Sequence, residues 1–409
     1  MAIGGAKNSV LKLMAATTMA EGEFVLHNVP RITDVAFMAE LLESMGMVVW
    51  WEGERSSDPT LHILRPAEIN PVAPYEIVER FRASIVVLGP LLARFGQARV
   101  ALPGGDDFGS RPIDMHHKAL EQLGATFALS HGYIEARADL LVGTRVLLDF
   151  PSVGATENAL MAAVLAKGTT VLDNAAREPE IADLAAFLNR MGARVLGAGS
   201  STITVEGVEE LFPVEHTVIP DRIEAATFLA AVGIAGGEIT LEGARPDHMD
   251  MFVQKVGEMG VRISPTNDGL WAMARRRVCA VDISTLPYPG LATDYKPLLV
   301  AMLATAEGVG IVTENIFHGR FRYVDELVRM GADVRTEGHH AVVRGVPMLS
   351  GAPVRAPDIR AGAALVLAGL KAEGETVVAD AEHIERGYER FVEKLAGLGA
   401  DVTADVTAD

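Results

Sequence analysis

The sequence predicts an α/β protein of two domains, each built from three copies of one module of about 70 residues. Three observations carry that expectation. The chain has 409 residues, too many for one ordinary core and suited to two domains of about 200 residues each. A glycine followed by an alternating, strand-like run recurs at Gly22, Gly96, Gly168, Gly237, Gly308 and Gly374. A second glycine, preceded by Met or Leu and followed by another strand-like run, recurs at Gly46, Gly124, Gly192, Gly260, Gly331 and Gly399. Both series step by roughly 70 residues, longer than the 20 to 50 or so of solenoid repeats, so each unit reads as a small α/β module in its own right.

The elements of a module follow in chain order. The alternation Glu23-Phe-Val-Leu-His27 after the first glycine marks a strand. From Asp34 to Met45 apolar residues fall at i, i+3, i+4 and i+7, which is the pattern of an amphipathic helix. The second glycine supplies its left-handed C-cap, and the residues after it form the next strand. A further helix, rich in Ala, Leu and Val, precedes each first glycine: Asn8 to Ala20, Phe81 to Arg94, Glu157 to Ala166, Ile223 to Ala235, Tyr295 to Ala306 and Ile359 to Ala372. Closing the ring from Gly399 through the C-terminus to Gly22 leaves about a dozen residues too few, roughly one strand with its turn. The expectation is a chain shortened at its N-terminus. A longer chain that expresses no better and melts no higher counts against it.

Composition narrows the class. With 49% hydrophobic and 22% charged residues the chain reads as well packed, and 40 glycines imply many turns. Against 36 Lys and Arg stand 54 Asp and Glu, a formal net charge of −18, which argues against a nucleic-acid partner. An anionic ligand would need the few basic residues gathered in one place. The single cysteine, Cys279, falls in a strand-like stretch and excludes a disulfide framework or a Cys-based zinc cage. The start at Met1 has no basic and apolar leader, and no run of 18 apolar residues occurs, so the chain is expected in the cytoplasm with no membrane partner. No G-x-G-x-x-G follows a strand and no G-x-x-x-x-G-K-[ST] is present. His116-His117 and His339-His340 are adjacent pairs without spaced partners and read as surface or lining residues, not a metal site.

The six modules carry ordered motifs: Gly5-Ala-Lys7-Asn8, Arg82-Ala-Ser, Leu102-Pro-Gly-Gly-Asp106, Gly109-Ser-Arg111-Pro112-Ile113-Asp114, Ser152-Val153-Gly154-Ala-Thr156, Asn174-Ala-Ala-Arg-Glu-Pro-Glu180, Asp221-Arg-Ile-Glu224, Thr293-Asp294, Arg320-Phe, Asp358-Ile-Arg360-Ala and Ile384-Glu-Arg386-Gly-Tyr388. Over almost its full length the chain resembles the UDP-N-acetylglucosamine 1-carboxyvinyltransferase family, the enolpyruvyl transferases of peptidoglycan synthesis. The resemblance implies two inside-out α/β barrel domains of βαβαββ repeats that close over a cleft. The expected boundaries are 7–218 for the first domain, with the nucleotide-sugar side and a mobile loop at 103–111, and 1–6 plus 219–409 for the second, lacking its N-terminal strand. The implied substrates are phosphoenolpyruvate and UDP-N-acetylglucosamine, with no metal or organic cofactor.

The resemblance also assigns roles. Lys7 and Asn8 open a helix, where free N–H groups and an ammonium suit an anion; the matching pair in relatives contacts phosphoenolpyruvate and the sugar. Arg82, Arg111, Arg320, Arg360 and Arg386 would surround carboxylate and phosphate oxygens, which a guanidinium grips bidentately. Arg111 with Pro112, Ile113, Asp114 and Met115 matches a uridine-holding stretch, Ser152, Val153 and Gly154 match a diphosphate contact, and Ile316 is a further substrate contact. Many relatives carry a Lys two residues before that Ser, where this chain has Phe150. Asp294, before a helix, reads by itself as an N-cap and by resemblance as the base or orienting group for the sugar 3-hydroxyl. Asp106 after Gly-Gly reads by itself as a turn residue. By resemblance it is the acid that protonates the methylene carbon, or a product-release group, where most relatives have Cys; Asp107 beside it is an alternative acid. Fosfomycin alkylates that thiol in relatives, so this chain is expected to show no time-dependent inactivation by fosfomycin. Two other readings stay open: the related transferase acting on shikimate 3-phosphate, and a non-catalytic nucleotide-sugar-binding paralogue.

Overall fold

The computed structural model describes residues 1–53, 59–104, 113–317 and 319–404. Among the described residues the chain divides into two compact units, one of Met1–Gly4 with those from Pro220 onward, the other of those between Gly5 and Ile219.

The six-fold repeat is written in the backbone. All twelve signature glycines have positive φ, a region where a side chain is strained and glycine is not. At each second-series glycine the helix ends in the same Schellman pattern. Met47 N–H reaches the Leu42 carbonyl, and the same six-to-one bond recurs for Ala125 to Leu120, Ala193 to Leu188, Val261 to Val256, Ala332 to Leu327 and Ala400 to Leu395.

Sheets repeat as well. In the unit from Gly5 to Ile219, Gly22–His27 pairs in parallel with Glu215–Thr217 and antiparallel with Thr60–Arg65, which pairs with Val48–Glu52. The same order of one parallel lead strand beside three antiparallel strands, the first pairing with the third, recurs around Gln97–Ala101, Thr169–Asp173 and Val309–Thr313. Around Gly237–Glu242 the lead position is held by a bridge from Ala2 to Glu242. The sixth copy departs: among the described residues it contains only the parallel pairs Leu349–Ser350 with Ala372–Glu373 and Pro353–Arg355 with Val377–Ala379.

The Ala- and Leu-rich helices lie inside and the sheets outside. Every residue of Lys296–Ala304 is buried, as is every residue but Ala235 of Arg222–Ala235 and all but Asn8 of Lys7–Ala16; a helix apolar on all sides belongs in a core. In the unit from Pro220 onward these two helices and Ile359–Gly369 pack against one another. The sheets alternate buried and exposed residues, as in Glu215–Thr217 or His340–Arg344. Inside-out α/β architecture is therefore what the chain adopts.

Two sequence expectations are corrected in detail. The helix expected from Phe81 to Arg94 is a 3-10 turn, Arg82–Val87, continued by α-helix Leu88–Phe95; Pro90 has no N–H to offer the carbonyl four residues back. Cys279 is exposed and makes one isolated bridge to Glu307 rather than lying in a strand.

Candidate active site

Each unit has three internal helices, and their N-terminal ends carry part of the candidate set. In the unit from Gly5 to Ile219, Lys7 opens Lys7–Ala16, and Ala6 before it has no side chain with which to cap the helix. The N–H groups at that end keep the partial positive charge that draws anions. Gly5 places this start: a Cβ there would stand 1.7 Å from the Asn28 carbonyl oxygen. Lys7, buried, forms an ion pair of 2.8 Å with Asp34 in the first turn of Thr33–Ser44. Asn8, next along the helix, is half-buried.

Arg82 heads its 3-10 turn, half-buried, and burial lowers its pKa. Beside it, burial first and then the Arg82 charge push His116 down to about 4, so this imidazole is neutral at pH 7. His116 Nδ1 lies 2.8 Å from Asn158 Nδ2, and Asn158 also donates to the Ile85 carbonyl and accepts from Gly89 N–H. Ser152 caps Val153–Val164 by accepting from Ala155 N–H. Gly154 lies on the His116 ring, where a Cβ would stand 2.9 Å from Cε1 and 3.2 Å from Nε2. Gly154→Ala should therefore cost about 1–3 kcal/mol by overpacking, read as a lower urea midpoint with an unchanged slope.

Ile113 and Met115 are half-buried against the core, and Asp114 starts Asp114–Gln122 with an ion pair of 3.4 Å to Lys118. Lys118 also pairs with Asp149, next to the exposed Phe150. Asp106, Asp107, Arg111 and Pro112 lie outside the described residues.

Deeper in this unit, Glu157 is fully buried 3.6 Å from Lys12. Burial raises its pKa from 4.5 to about 7, Lys12 opposes the rise, and Glu180 and Glu178 add to it. The folded chain holds a proton there that the unfolded chain releases above 4.5. This contribution to stability is complete below pH 4.5 and lost as pH rises through 7. Glu157→Gln should remove up to about 3 kcal/mol of pH dependence across that window, measured by urea titrations at several pH values.

In the unit from Pro220 onward, the pattern returns with more charge. Asp221 caps Arg222–Ala235 through Ile223 N–H and Glu224 N–H, and Asp358 caps Ile359–Gly369 through Arg360 N–H and Ala361 N–H. Asp294 behaves differently. No side chain caps the turn Thr293–Tyr295 or the helix Lys296–Ala304 that continues it. Instead the Asp294 carboxylate, half-buried, meets the buried Arg320 guanidinium at 2.8 Å. Burial alone would raise its pKa, yet Arg320, then Arg360 and Arg222, hold it far below the usual carboxylate range. Arg222, Asp294, Arg320 and Arg360 thus share one electrostatic neighbourhood. Arg320 also donates to Thr293 Oγ1 at 3.1 Å. Arg360 sits 5.1 Å from the centre of the Tyr388 ring, an attraction of cation to π face. Arg386 is half-buried in the turn two residues before Tyr388.

Behind Asp294 stands a fully buried pair, Lys296 and Glu314, 3.0 Å apart. Burial lowers Lys296 to about 8 against the pull of Glu314. Glu314 also accepts from Thr285 and Thr293 hydroxyls at 2.8 Å each and from the N–H groups of Ile316 and Phe317 at 2.8 and 3.1 Å. Lys296 Nζ further donates to the Arg320 carbonyl. Ile316 is thereby fixed by its backbone, and Arg320 from both ends.

Sequence reasoning gave no role to Arg222, Lys296, Glu314 or His116. Arg222 and Lys296 each start an internal helix at the repeat position of Lys7, and that alignment of copies would have found them. Glu314 and His116 carry no local signal, since their partners come from other modules.

An inside-out pair of triple-repeat units whose internal helices begin in clusters of cationic and carboxylate groups defines the class of enolpyruvyl transferases, and a family model, EPSP synthase (3-phosphoshikimate 1-carboxyvinyltransferase), matches residues 1–395. A solved structure, the enolpyruvyl transferase NikO from Streptomyces tendae, superposes with a TM-score of 0.88 at 26% identity, covering 98% of this chain and 94% of that one. EPSP synthase from Acinetobacter baumannii shares the fold, with a TM-score of 0.75 at 20% identity over 99% of this chain and 97% of that one. Among curated relatives, the UDP-N-acetylglucosamine 1-carboxyvinyltransferase of Nocardia farcinica is 54% identical over 400 residues, covering 98% of this chain and 94% of that protein. The Mycolicibacterium paratuberculosis protein of the same name is 52% identical over 402 residues, 98% and 95% respectively. The chain belongs to the enolpyruvyl transferase family, within its UDP-N-acetylglucosamine 1-carboxyvinyltransferase branch. No helix among the described residues is long and apolar enough to cross a membrane.

Proposed function

We propose that the chain transfers the enolpyruvyl group of phosphoenolpyruvate to the 3-hydroxyl of UDP-N-acetylglucosamine and releases phosphate, the first committed step of peptidoglycan synthesis. The observation that carries this reading is identity of about one residue in two, over nearly the whole chain, to relatives bearing that name. The site chemistry agrees with it. In the first step the sugar 3-hydroxyl gives up its proton toward Asp294 as its oxygen bonds to C2 of phosphoenolpyruvate, while C3 takes a proton, giving a tetrahedral phospho-ketal. In the second the C2–O bond to phosphate breaks, C3 loses a proton, and the enol ether remains.

Phosphoenolpyruvate brings a carboxylate and a phosphate, and Lys7, Arg82, Arg111, Arg320, Arg360 and Arg386 are the cations assigned to hold it and the nucleotide sugar. Asp294 accepts a hydrogen bond from the 3-hydroxyl. A carboxylate held so acidic is a weak base, so its work is first to orient that hydroxyl for attack. Asp106 is assigned the proton to C3. For this it needs a raised pKa, which burial by its loop would supply; Asp106→Asn against Asp107→Asn kinetics distinguishes the two neighbours. Ile113, Asp114, Met115, Ser152, Val153, Gly154 and Ile316 are assigned to the nucleotide sugar, with Asn8 beside Lys7.

A phosphate-release assay tests the reading. Release that requires phosphoenolpyruvate and UDP-N-acetylglucosamine together supports it. Release with shikimate 3-phosphate instead would assign the chain to the other branch of the family. Nucleotide-sugar binding without release would make it a binding paralogue.

A further inference from the structure

The unit from Pro220 onward has a second cationic place, at the C-terminal ends of the helices whose N-termini carry Arg222, Lys296 and Arg360. A cavity of about 630 Å³ lies there, and among its lining residues are Arg275, Arg276, Arg277 and Lys371, with Glu238 as the one carboxylate. In a chain with 36 basic against 54 acidic residues, four cations around one cavity are a strong local reversal of sign.

The four cations are not equivalent. Arg277 donates from Nε to the Thr305 carbonyl at 2.7 Å and from Nη2 to the Ala306 carbonyl at 2.6 Å. It caps the end of Lys296–Ala304 and cancels the partial negative charge that would repel an anion from that helix terminus. Arg275 and Arg276 are exposed and Lys371 is half-buried, and their side chains form no hydrogen bond or ion pair with any described residue. Elsewhere exposed arginines of the sheets pair with carboxylates: Arg145 with Asp173, Arg194 with Glu206, Arg344 with Asp333 and Arg355 with Asp380. Glu238, the nearby acid, accepts from the Trp271 indole N–H at 2.7 Å.

The repeat supplies an independent comparison. Arg275–Arg277 occupy the segment that leaves the strand Gly269–Ala274 for the next module. In other copies this segment contains Asp139, or Glu209 and Glu210, or, after Arg344, the uncharged run Gly345-Val-Pro-Met348. The crossover folds without cations in those copies, so it does not itself require Arg275 and Arg276.

We propose that this cavity binds a small anion with two or more phosphate groups, held by Arg275, Arg276 and Lys371. Guanidinium forks match phosphate oxygens, several uncompensated cations favour a multiply charged ligand over a single carboxylate, and the volume is in the range of small-molecule sites. Cys279, the only cysteine in the sequence, is exposed two residues beyond Arg277, so an uncharged environment-sensitive fluorophore attached there reports on this place alone. Titrating the labelled full-length chain with inorganic pyrophosphate should give a saturable change. Arg276→Ala and Lys371→Ala should each weaken it at least about tenfold, the loss of one charge-assisted contact, while leaving phosphate release from the two substrates intact. Arg360→Ala should leave the fluorescence titration where it is. No saturable change, an affinity unchanged from the parent chain in both cavity variants, or the same response to chloride at equal ionic strength would overturn the proposal.

Discussion

Asp294→Asn is expected to lower kcat for phosphate release by about 10²- to 10⁴-fold, the range for a positioned proton-transfer group. Asparagine keeps the size of the side chain and can still point an oxygen at the sugar hydroxyl. It cannot carry the charge that fixes Arg320 at 2.8 Å or accept the proton. The same change releases Arg320 and Arg360 from a competing anion, so KM for phosphoenolpyruvate should stay level or fall while kcat collapses. That split distinguishes a reacting carboxylate from a structural one, whose loss would raise KM or lower the amount of folded protein. An unchanged kcat would remove Asp294 from the chemistry.

The second large effect is on stability. Glu314→Gln should destabilise the chain by about 3–5 kcal/mol, the usual result of removing one partner of a buried ion pair. Lys296 and Glu314 are both fully buried, so the substitution leaves an ammonium inside the protein without its counter-charge. The glutamine amide also accepts at only one of the two oxygen positions: with its oxygen facing Thr285, Ile316 and Phe317, its NH₂ is turned to the Thr293 hydroxyl and the Lys296 ammonium. Urea unfolding measures the loss. Lys296→Met combined with Glu314→Gln should recover a good part of it, because no charge is then stranded. A double variant no better than the single would mean that the loss comes from the backbone of Glu314–Phe317 rather than from the unpaired ammonium.

The repeat was legible because it rests on backbone geometry. A positive φ is cheap only for glycine, so both glycine series survive in the letters of the sequence. Asp106, Lys7 and the arginines were assigned roles only through ordered motifs shared with a family, since a single Lys or Arg has no local signature of what it holds. What escaped reading is long-range. Nothing within ten residues of Glu314 announces that Lys296 will meet it, and His116 finds Asn158 only when two modules pack. The break in the helix before Leu88 was present in the sequence as Pro90, and the apolar run hid it.

The most direct test is the identity of the product. After incubation with phosphoenolpyruvate, mass spectrometry and proton NMR of the recovered nucleotide should show UDP-N-acetylglucosamine bearing an enolpyruvyl ether at the 3-oxygen, formed in proportion to phosphate released and lost with Asp294→Asn. Unmodified nucleotide sugar alongside released phosphate, or an ether on shikimate 3-phosphate instead, would contradict the account.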